Sequence, residues 1–100
     1  NEIESLGGKC EILPANVASY DETLEMFKTI KNEYGRLDIL INNAGIDKIQ
    51  LSTEVTKKDW DEIINTNLYG TFYITQQVTK NMIQNKKGKI INISSIFFTL

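Results

Sequence analysis

Asn42, Asn43, Ala44 and Gly45 follow the apolar run Leu37-Asp38-Ile39-Leu40-Ile41, and Ser94 and Ser95 follow a second run, Lys89-Ile90-Ile91-Asn92-Ile93. An asparagine side chain offers both donors and acceptors, as does a serine hydroxyl. Ala and Gly leave room for a ligand to approach the backbone. Short, nearly all-apolar runs read as buried parallel strands, and in open α/β sheets ligands bind just beyond the carboxyl ends of such strands. Two strands that end in small polar residues therefore point to one shared binding site. Adjacent strand residues face opposite ways, and on pattern alone either serine also reads as a cap on the strand end.

The elements that must position these residues can be read on either side of them. Asn1 to Leu6, followed by Gly7-Gly8, reads as the tail of a helix, because Gly is the usual residue just past a helix C-terminus. Cys10 to Leu13 reads as a strand closed by Pro14. Ser19 and Glu22 have capping-box spacing and predict a helix from about Tyr20, with Leu24, Phe27, Ile30 and Tyr34 as its apolar stripe and Gly35 as its end. Thr56 and Asp59 repeat the capping pattern before a helix predicted from Lys57 to about Gln84, roughly 40 Å long at 1.5 Å per residue. Lys86-Lys87-Gly88 is its stop signal. The order α-β-α-β-α-β argues for an α/β fold with a parallel sheet, here three strands with crossover helices.

Trp60, Ile63, Ile64, Asn67, Leu68, Thr71 and Phe72 share one face of the long helix, and that face is expected to pack on the sheet. Asn67 then lies among apolar neighbours, where an unpaired amide costs about 1–3 kcal/mol. It reads either as a core amide bonding backbone at a local irregularity or as a polar relay near the site. Tyr73, Ile74, Gln77 and Val78 leave a second, partly apolar face that fits core packing or a partner surface.

Composition bounds the functional classes. The chain has 100 residues, 41% hydrophobic and 24% charged, which is ordinary globular usage. Thirteen acids against 11 bases give a formal charge of −2, and no basic stripe appears, so a nucleic-acid partner is not expected. The single cysteine, Cys10, suits a reducing compartment and reads as a small buried strand residue. No run approaches the ~20 apolar residues of a membrane span, and the expected location is cytoplasmic.

In that order and spacing, four segments resemble the short-chain dehydrogenase/reductase family. Asn42-Asn43-Ala44-Gly45 is similar to its fourth-strand motif, Thr66-Asn67 to its helix asparagine, Ile91-Asn92-Ile93-Ser94-Ser95 to its catalytic-serine strand, and Asn16-Val17 to its adenine-side segment. The resemblance covers essentially the whole chain. It implies part of a Rossmann-like, doubly wound parallel sheet and reversible hydride transfer between a carbonyl and an alcohol, with NAD or NADP as cofactor. By the same resemblance, Asn16 and Val17 border the adenine ring, and Asn43, Ala44 and Gly45 line the adenosine part of the groove, with Asn42 bracing the turn. Ile93 lies near the nicotinamide, Ser95 hydrogen-bonds the substrate oxygen, and the Asn67 backbone carbonyl holds a water in a proton relay. The role implied for Ser95 is chemically sensible: a carbonyl gaining hydride develops alkoxide character, which a pre-placed hydroxyl stabilises. Gly7-Gly8, Asn16-Val17 and Asn67-Leu68 resemble the 3-oxoacyl-acyl-carrier-protein and acetoacetyl-CoA reductases, so acyl thioesters are among the implied small-molecule substrates.

The family's glycine-rich turn and its Tyr-x-x-x-Lys pair are not in the sequence: Tyr20, Tyr34, Tyr69 and Tyr73 have no Lys four residues on. The expectation is that residues 1–100 are the central part of a single NAD(P)-binding domain, cut at both ends, with Ile96 to Leu100 apolar and uncapped. Such a piece is expected to be inactive alone and not to fold stably as a monomer. In the family's strand order 3-2-1-4-5, the Cys10–Leu13 strand is separated from the other two. The full-length parent is expected to form a homodimer or homotetramer through the long helix. The rival reading is a catalytically silent dinucleotide-binding or assembly subunit.

Overall fold

The computed structural model describes residues 1–95, and the apolar segment from Ile96 to Leu100 lies outside the described residues. Four helices and two strands follow one another as α1 (Glu2–Ser5), α2 (Tyr20–Tyr34), β1 (Ile39–Asn42), α3 (Lys57–Ile64), α4 (Thr71–Gln84) and β2 (Lys89–Asn92). A 3-10 turn (Ser52–Glu54) precedes α3, and a π-helical turn (Asn65–Gly70) joins α3 to α4.

Local chemistry accounts for the ends. Gly7 takes φ +88° after α1, and the amides of Gly7 and Gly8 donate to the carbonyls of Glu4 and Ile3, each at 3.0 Å. That is a Schellman closure. The Ser19 hydroxyl accepts from the Glu22 amide at 3.3 Å to start α2, and Gly35 ends it at φ +79°. Thr56 starts α3 in the same way, accepting from the Asp59 amide at 3.1 Å. The stop of α4 differs from expectation. The amides of Lys86 and Lys87 donate to the carbonyls of Ile83 and Met82, both at 3.1 Å, which makes Lys86 the left-handed closing residue at φ 54°. Gly88 lies beyond the closure, where a Cβ would run into the Met82 side chain.

β1 and β2 pair in parallel with Ile39 opposite Lys89, Leu40 opposite Ile90, Ile41 opposite Ile91 and Asn42 opposite Asn92. The long crossover between them confirms the α/β class. Among the described residues the sheet has these two strands. Cys10 to Leu13, expected as a third, is not in a ladder, and Cys10, expected buried in it, is exposed. A strand needs a hydrogen-bonding neighbour, and β1 and β2 use their described pairing on each other.

Ile74, Val78 and Met82 of α4 form the buried core, with Val17, Phe27, Leu37 and Leu40 packed against it. This corrects the expected packing face. Trp60, Leu68 and Phe72 are 58%, 57% and 57% exposed, whereas Ile74, Gln77 and Val78, read as either core packing or a partner surface, are buried in the core. Gly70, Ile74, Val78 and Met82 are spaced by four and form one ridge. Two amides flank it without penalty because each is bonded. Gln77 Nε2 donates to Thr23 Oγ1 at 3.4 Å, while Asn81 accepts from the Leu37 amide at 3.2 Å and donates to the Gly35 carbonyl at 3.3 Å. Satisfied amides bury cheaply, so counting apolar residues alone set the stripe too far toward Leu68 and Phe72. The same pairing puts Thr23 of α2 inside, while Tyr34 turns outward and donates to Glu11 at 2.8 Å. Residues 39, 41 and 91 alternate onto the opposite sheet face, where all three isoleucines are exposed.

Candidate functional site

The strand ends meet the long helix at a cleft of about 470 Å³. β1 and its turn contribute Asn42, Asn43, Ala44 and Gly45; β2 contributes Asn92, Ile93, Ser94 and Ser95; the helix contributes Asn67 and Thr71. A second hollow of about 190 Å³ shares Asn42, Asn43, Ala44 and Thr71 with it and extends to Val17, Met26 and Ile74. The combined groove crosses the carboxyl ends of both strands, the position expected for a ligand in an open α/β sheet.

Each wall has a local cause. Asn42 and Asn92 occupy the same register position, and Asn42 Nδ2 donates to Asn92 Oδ1 at 2.8 Å and to Thr75 Oγ1 at 3.0 Å. These bonds lock the two strand ends to each other and to α4. The Asn67 side chain donates to the Ile46 carbonyl at 2.8 Å and accepts from the Ile46 amide at 2.9 Å. A primary amide paired this way replaces a strand neighbour and fixes the chain leaving the Asn43–Gly45 turn. The side chain thus bonds backbone at a local irregularity, the π turn, and it does so as an exposed group, not as the core amide expected among apolar neighbours. In a π turn the bonds run from i to i+5, and such turns are frequent at functional sites.

Gly45 and Gly70 permit the close approaches. A Cβ on Gly45 would stand 3.3 Å from Asn67 Oδ1, and one on Gly70 would stand 2.7 Å from the Val17 carbonyl oxygen. Gly70 thereby lets the helix touch the segment that carries Asn16 and Val17. Asn16 itself is turned into its own loop, its Oδ1 accepting from the Ala18 amide at 2.9 Å.

The structure thus brings Val17, Asn43, Ala44, Gly45, Asn67, Ile93 and Ser95 to one groove, with Ser94 beside Ser95 and Asn16 just outside the lining. Sequence reasoning gave no site role to Asn92, Thr71, Thr75 or Gly70. The available signal for Asn92 was its match to Asn42 as a polar residue at the end of an apolar run. Among the described residues, none lining either hollow is ionisable. A charged arrangement lies on the loop after the turn, where Lys48 Nζ reaches Asp59 at 2.7 Å and Glu62 at 2.6 Å. Asp59 also accepts from Gln50 at 2.9 Å. The Lys48 ammonium, then the Gln50 amide, hold the Asp59 carboxyl below the usual carboxylate range; Asp59, then Glu62, push Lys48 up. Chemically, the groove offers neutral amide, hydroxyl and small apolar groups, which suit binding and orienting a flat, elongated ligand.

The profile of the short chain dehydrogenase family matches residues 1–98. The 3-oxoacyl-[acyl-carrier-protein] reductase FabG of Thermotoga maritima is 41% identical over 95 residues, covering 95% of this chain and 39% of that protein. FabG of Staphylococcus epidermidis is 42% identical over the same coverage. A crystal structure of a 3-ketoacyl-ACP reductase from Sinorhizobium meliloti superposes with a TM-score of 0.89 at 31% identity, covering 95% of this chain and 38% of that one. An ElxO variant solved with NADPH bound gives a TM-score of 0.79 at 37% identity, covering 86% of this chain and 35% of that one. The chain therefore spans about 39% of the length of the curated relatives it matches. With the strand-end groove and its motifs in place, this chain belongs to the short-chain dehydrogenase family.

Proposed function

We propose that this chain supplies the dinucleotide groove and the substrate-side serine of an NAD(P)-dependent reductase that interconverts a carbonyl and an alcohol. Residues 1–100 form the central part of its single dinucleotide-binding domain. The observation that carries the reading is the shared lining: the turn Asn43–Gly45 and the strand end Ile93–Ser95 face one cleft. The residues present fit the cofactor. The turn is small, the lining is neutral, and the second hollow leads to the apolar side chain of Val17. When bound, the cofactor supplies or takes the hydride.

The chain's own groups bind and orient. Val17, with Asn16 behind it in the same loop, would border the adenine, Asn43, Ala44 and Gly45 would line the adenosine, and Ile93 would lie beside the nicotinamide ring. Ser95 donates its hydroxyl proton in a hydrogen bond to the substrate oxygen, which becomes more negative as the carbon gains hydride. The Asn67 side chain is used on Ile46, which leaves its backbone carbonyl as the group that holds a relay water. Both curated relatives are 3-oxoacyl-[acyl-carrier-protein] reductases, which supports a 3-oxoacyl thioester, on acyl carrier protein or coenzyme A, as the substrate class. It also weighs against a catalytically silent subunit.

The test is turnover by the intact protein of a 3-oxoacyl thioester with NADPH or NADH, before and after Ser95→Ala. The expected result is a fall in kcat of about 10²–10³-fold with cofactor affinity retained, the scale of one lost oxyanion donor. Unchanged turnover in the variant would remove Ser95 from the reaction. Dinucleotide binding with no turnover in the unsubstituted protein would favour the silent subunit.

A further inference from the structure

The loop 43–56 leaves the floor of the groove and crosses to the long helix with little apolar anchorage. Ile49 is 98% exposed and Leu51 68% exposed, so burial of side chains does not hold its middle. Polar ties do. Ile46 is paired to Asn67 by two hydrogen bonds, Gln50 Nε2 donates to Asp59, and Lys48 Nζ bridges Asp59 and Glu62. Asp59 and Glu62 stand three apart on α3, adjacent on the helix surface. Like charges so placed repel, and the Lys48 ammonium between them is the group that makes their proximity favourable.

The Asn67 tie fixes the chain at one residue beyond the turn. Those two bonds fix Ile46 and the direction of its backbone, and the chain beyond it needs a further tie to stay against the helix. The Lys48 bridge, two residues on, supplies that tie. Together they set where Asn43, Ala44 and Gly45 stand against the groove, since those residues are held between β1 and the two ties.

We propose that Lys48 is a positioning residue for the groove: by bridging Asp59 and Glu62 it pins the loop that carries the Asn43–Gly45 wall, and so raises the fraction of molecules competent to bind the dinucleotide. This rests on the reading of the groove as a dinucleotide site. Partly exposed ion pairs add little to global stability, so the effect of the bridge is local order rather than melting temperature. It is also sensitive to salt, because screening at high ionic strength weakens exposed pairs.

The experiment compares the intact protein with Lys48→Met, Lys48→Arg and the double variant Asp59→Asn, Glu62→Gln. Amide hydrogen exchange across residues 44–50 is followed without ligand at low and high potassium chloride, and NADPH and NADH affinity and kcat are measured in parallel. In Lys48→Met the exchange is expected to accelerate and lose its salt dependence. The apparent Kd rises about five- to ten-fold, as the competent fraction falls, and kcat at saturating cofactor changes by less than about two-fold. The carboxamide double variant behaves like Lys48→Met, and Lys48→Arg, which keeps the charge and can reach both carboxylates, restores exchange and affinity. Unchanged exchange in Lys48→Met would overturn the bridge as an ordering device. Faster exchange with unchanged Kd would overturn its role in positioning. Failure of the unsubstituted protein to bind dinucleotide would instead contradict the reading of the groove, while the exchange arm would still decide whether Lys48 orders the loop.

Discussion

At the mouth of the groove, Asn42 and Asn67 direct their amide groups to the protein itself. Asn42 joins β1 to β2 and α4, and Asn67 carries the backbone of Ile46. Those bonds commit the Asn42 NH2 group and one donor and one acceptor of Asn67 to the protein, so the rest of the polar lining, Asn43, Thr71 and Ser94 among it, carries the groove's selectivity. The charged residues behind the turn make a titration prediction. Asp59 holds its charge to lower pH than in an unfolded chain because Lys48, then Gln50, hydrogen-bond to it. Its contribution to loop order is present above the unfolded value and is lost as pH falls through the lower folded one. Lys48 is pushed up by Asp59, then Glu62, so its part is present below the unfolded value and is lost only as pH rises through the higher folded one. The carboxyl resonance of Asp59, followed by NMR, is expected to titrate below the usual carboxylate midpoint and to move up in Lys48→Met. A midpoint in the ordinary range in both proteins would mean that the ion pair is absent in solution.

The long helix is the element that assembles the site, and its π turn is where it does so. Asn67 and Gly70 lie in the same six-residue stretch, Asn65–Gly70; one holds the loop after β1 and the other touches Val17. Gly70 has helical dihedrals, φ −58° and ψ −49°, so replacement by Ala carries no backbone strain and gains about 1 kcal/mol of helix propensity. The steric term opposes it. A Cβ would stand 2.7 Å from the Val17 carbonyl oxygen and 3.0 Å from its carbon, and backbone cannot step aside as a flexible side chain can. Overpacking of this kind costs about 1–3 kcal/mol, so Gly70→Ala is expected to lower the melting temperature of the intact protein. A melting temperature that rises would show that the helix and the Val17 segment are not in contact.

Much of this element was legible in sequence. Thr56 and Ser19 announced their helices because a cap is a contact between near neighbours. The site motifs were legible because strand ends concentrate small polar residues. The packing face was not, because Gln77 and Asn81 are buried by virtue of Thr23, Leu37 and Gly35, partners 44 or more positions away that no periodicity encodes. The strand expected at Cys10 to Leu13 failed for the same reason, since a ladder is a property of two segments.

For the whole molecule, α4 covers one face of the sheet and α2 packs against α4, while Ile39, Ile41 and Ile91 are exposed on the other. A doubly wound sheet carries helices on both faces, so the described residues amount to half of that sandwich. No helix among them is long and apolar enough to cross a membrane. Trp60, Leu68 and Phe72 are exposed apolar side chains along the long helix, of the kind found at association sites. A second copy of the protein is the proposed partner. Sedimentation of the intact protein at micromolar concentration is expected to show a dimer or tetramer, and Phe72→Glu to shift it to lower mass. A strictly monomeric unsubstituted protein would contradict the association.

The most direct test of the groove's assignment is calorimetric titration of the intact protein with NADPH and NADH, repeated with Gly45→Val. The substitution places a branched side chain where a Cβ would already stand 3.3 Å from Asn67 Oδ1, against the turn proposed to receive the adenosine. Saturable one-site binding is expected, weakened by about tenfold or more in the variant, with circular dichroism unchanged. No binding by the unsubstituted protein, or equal affinity in the folded variant, would contradict the assignment.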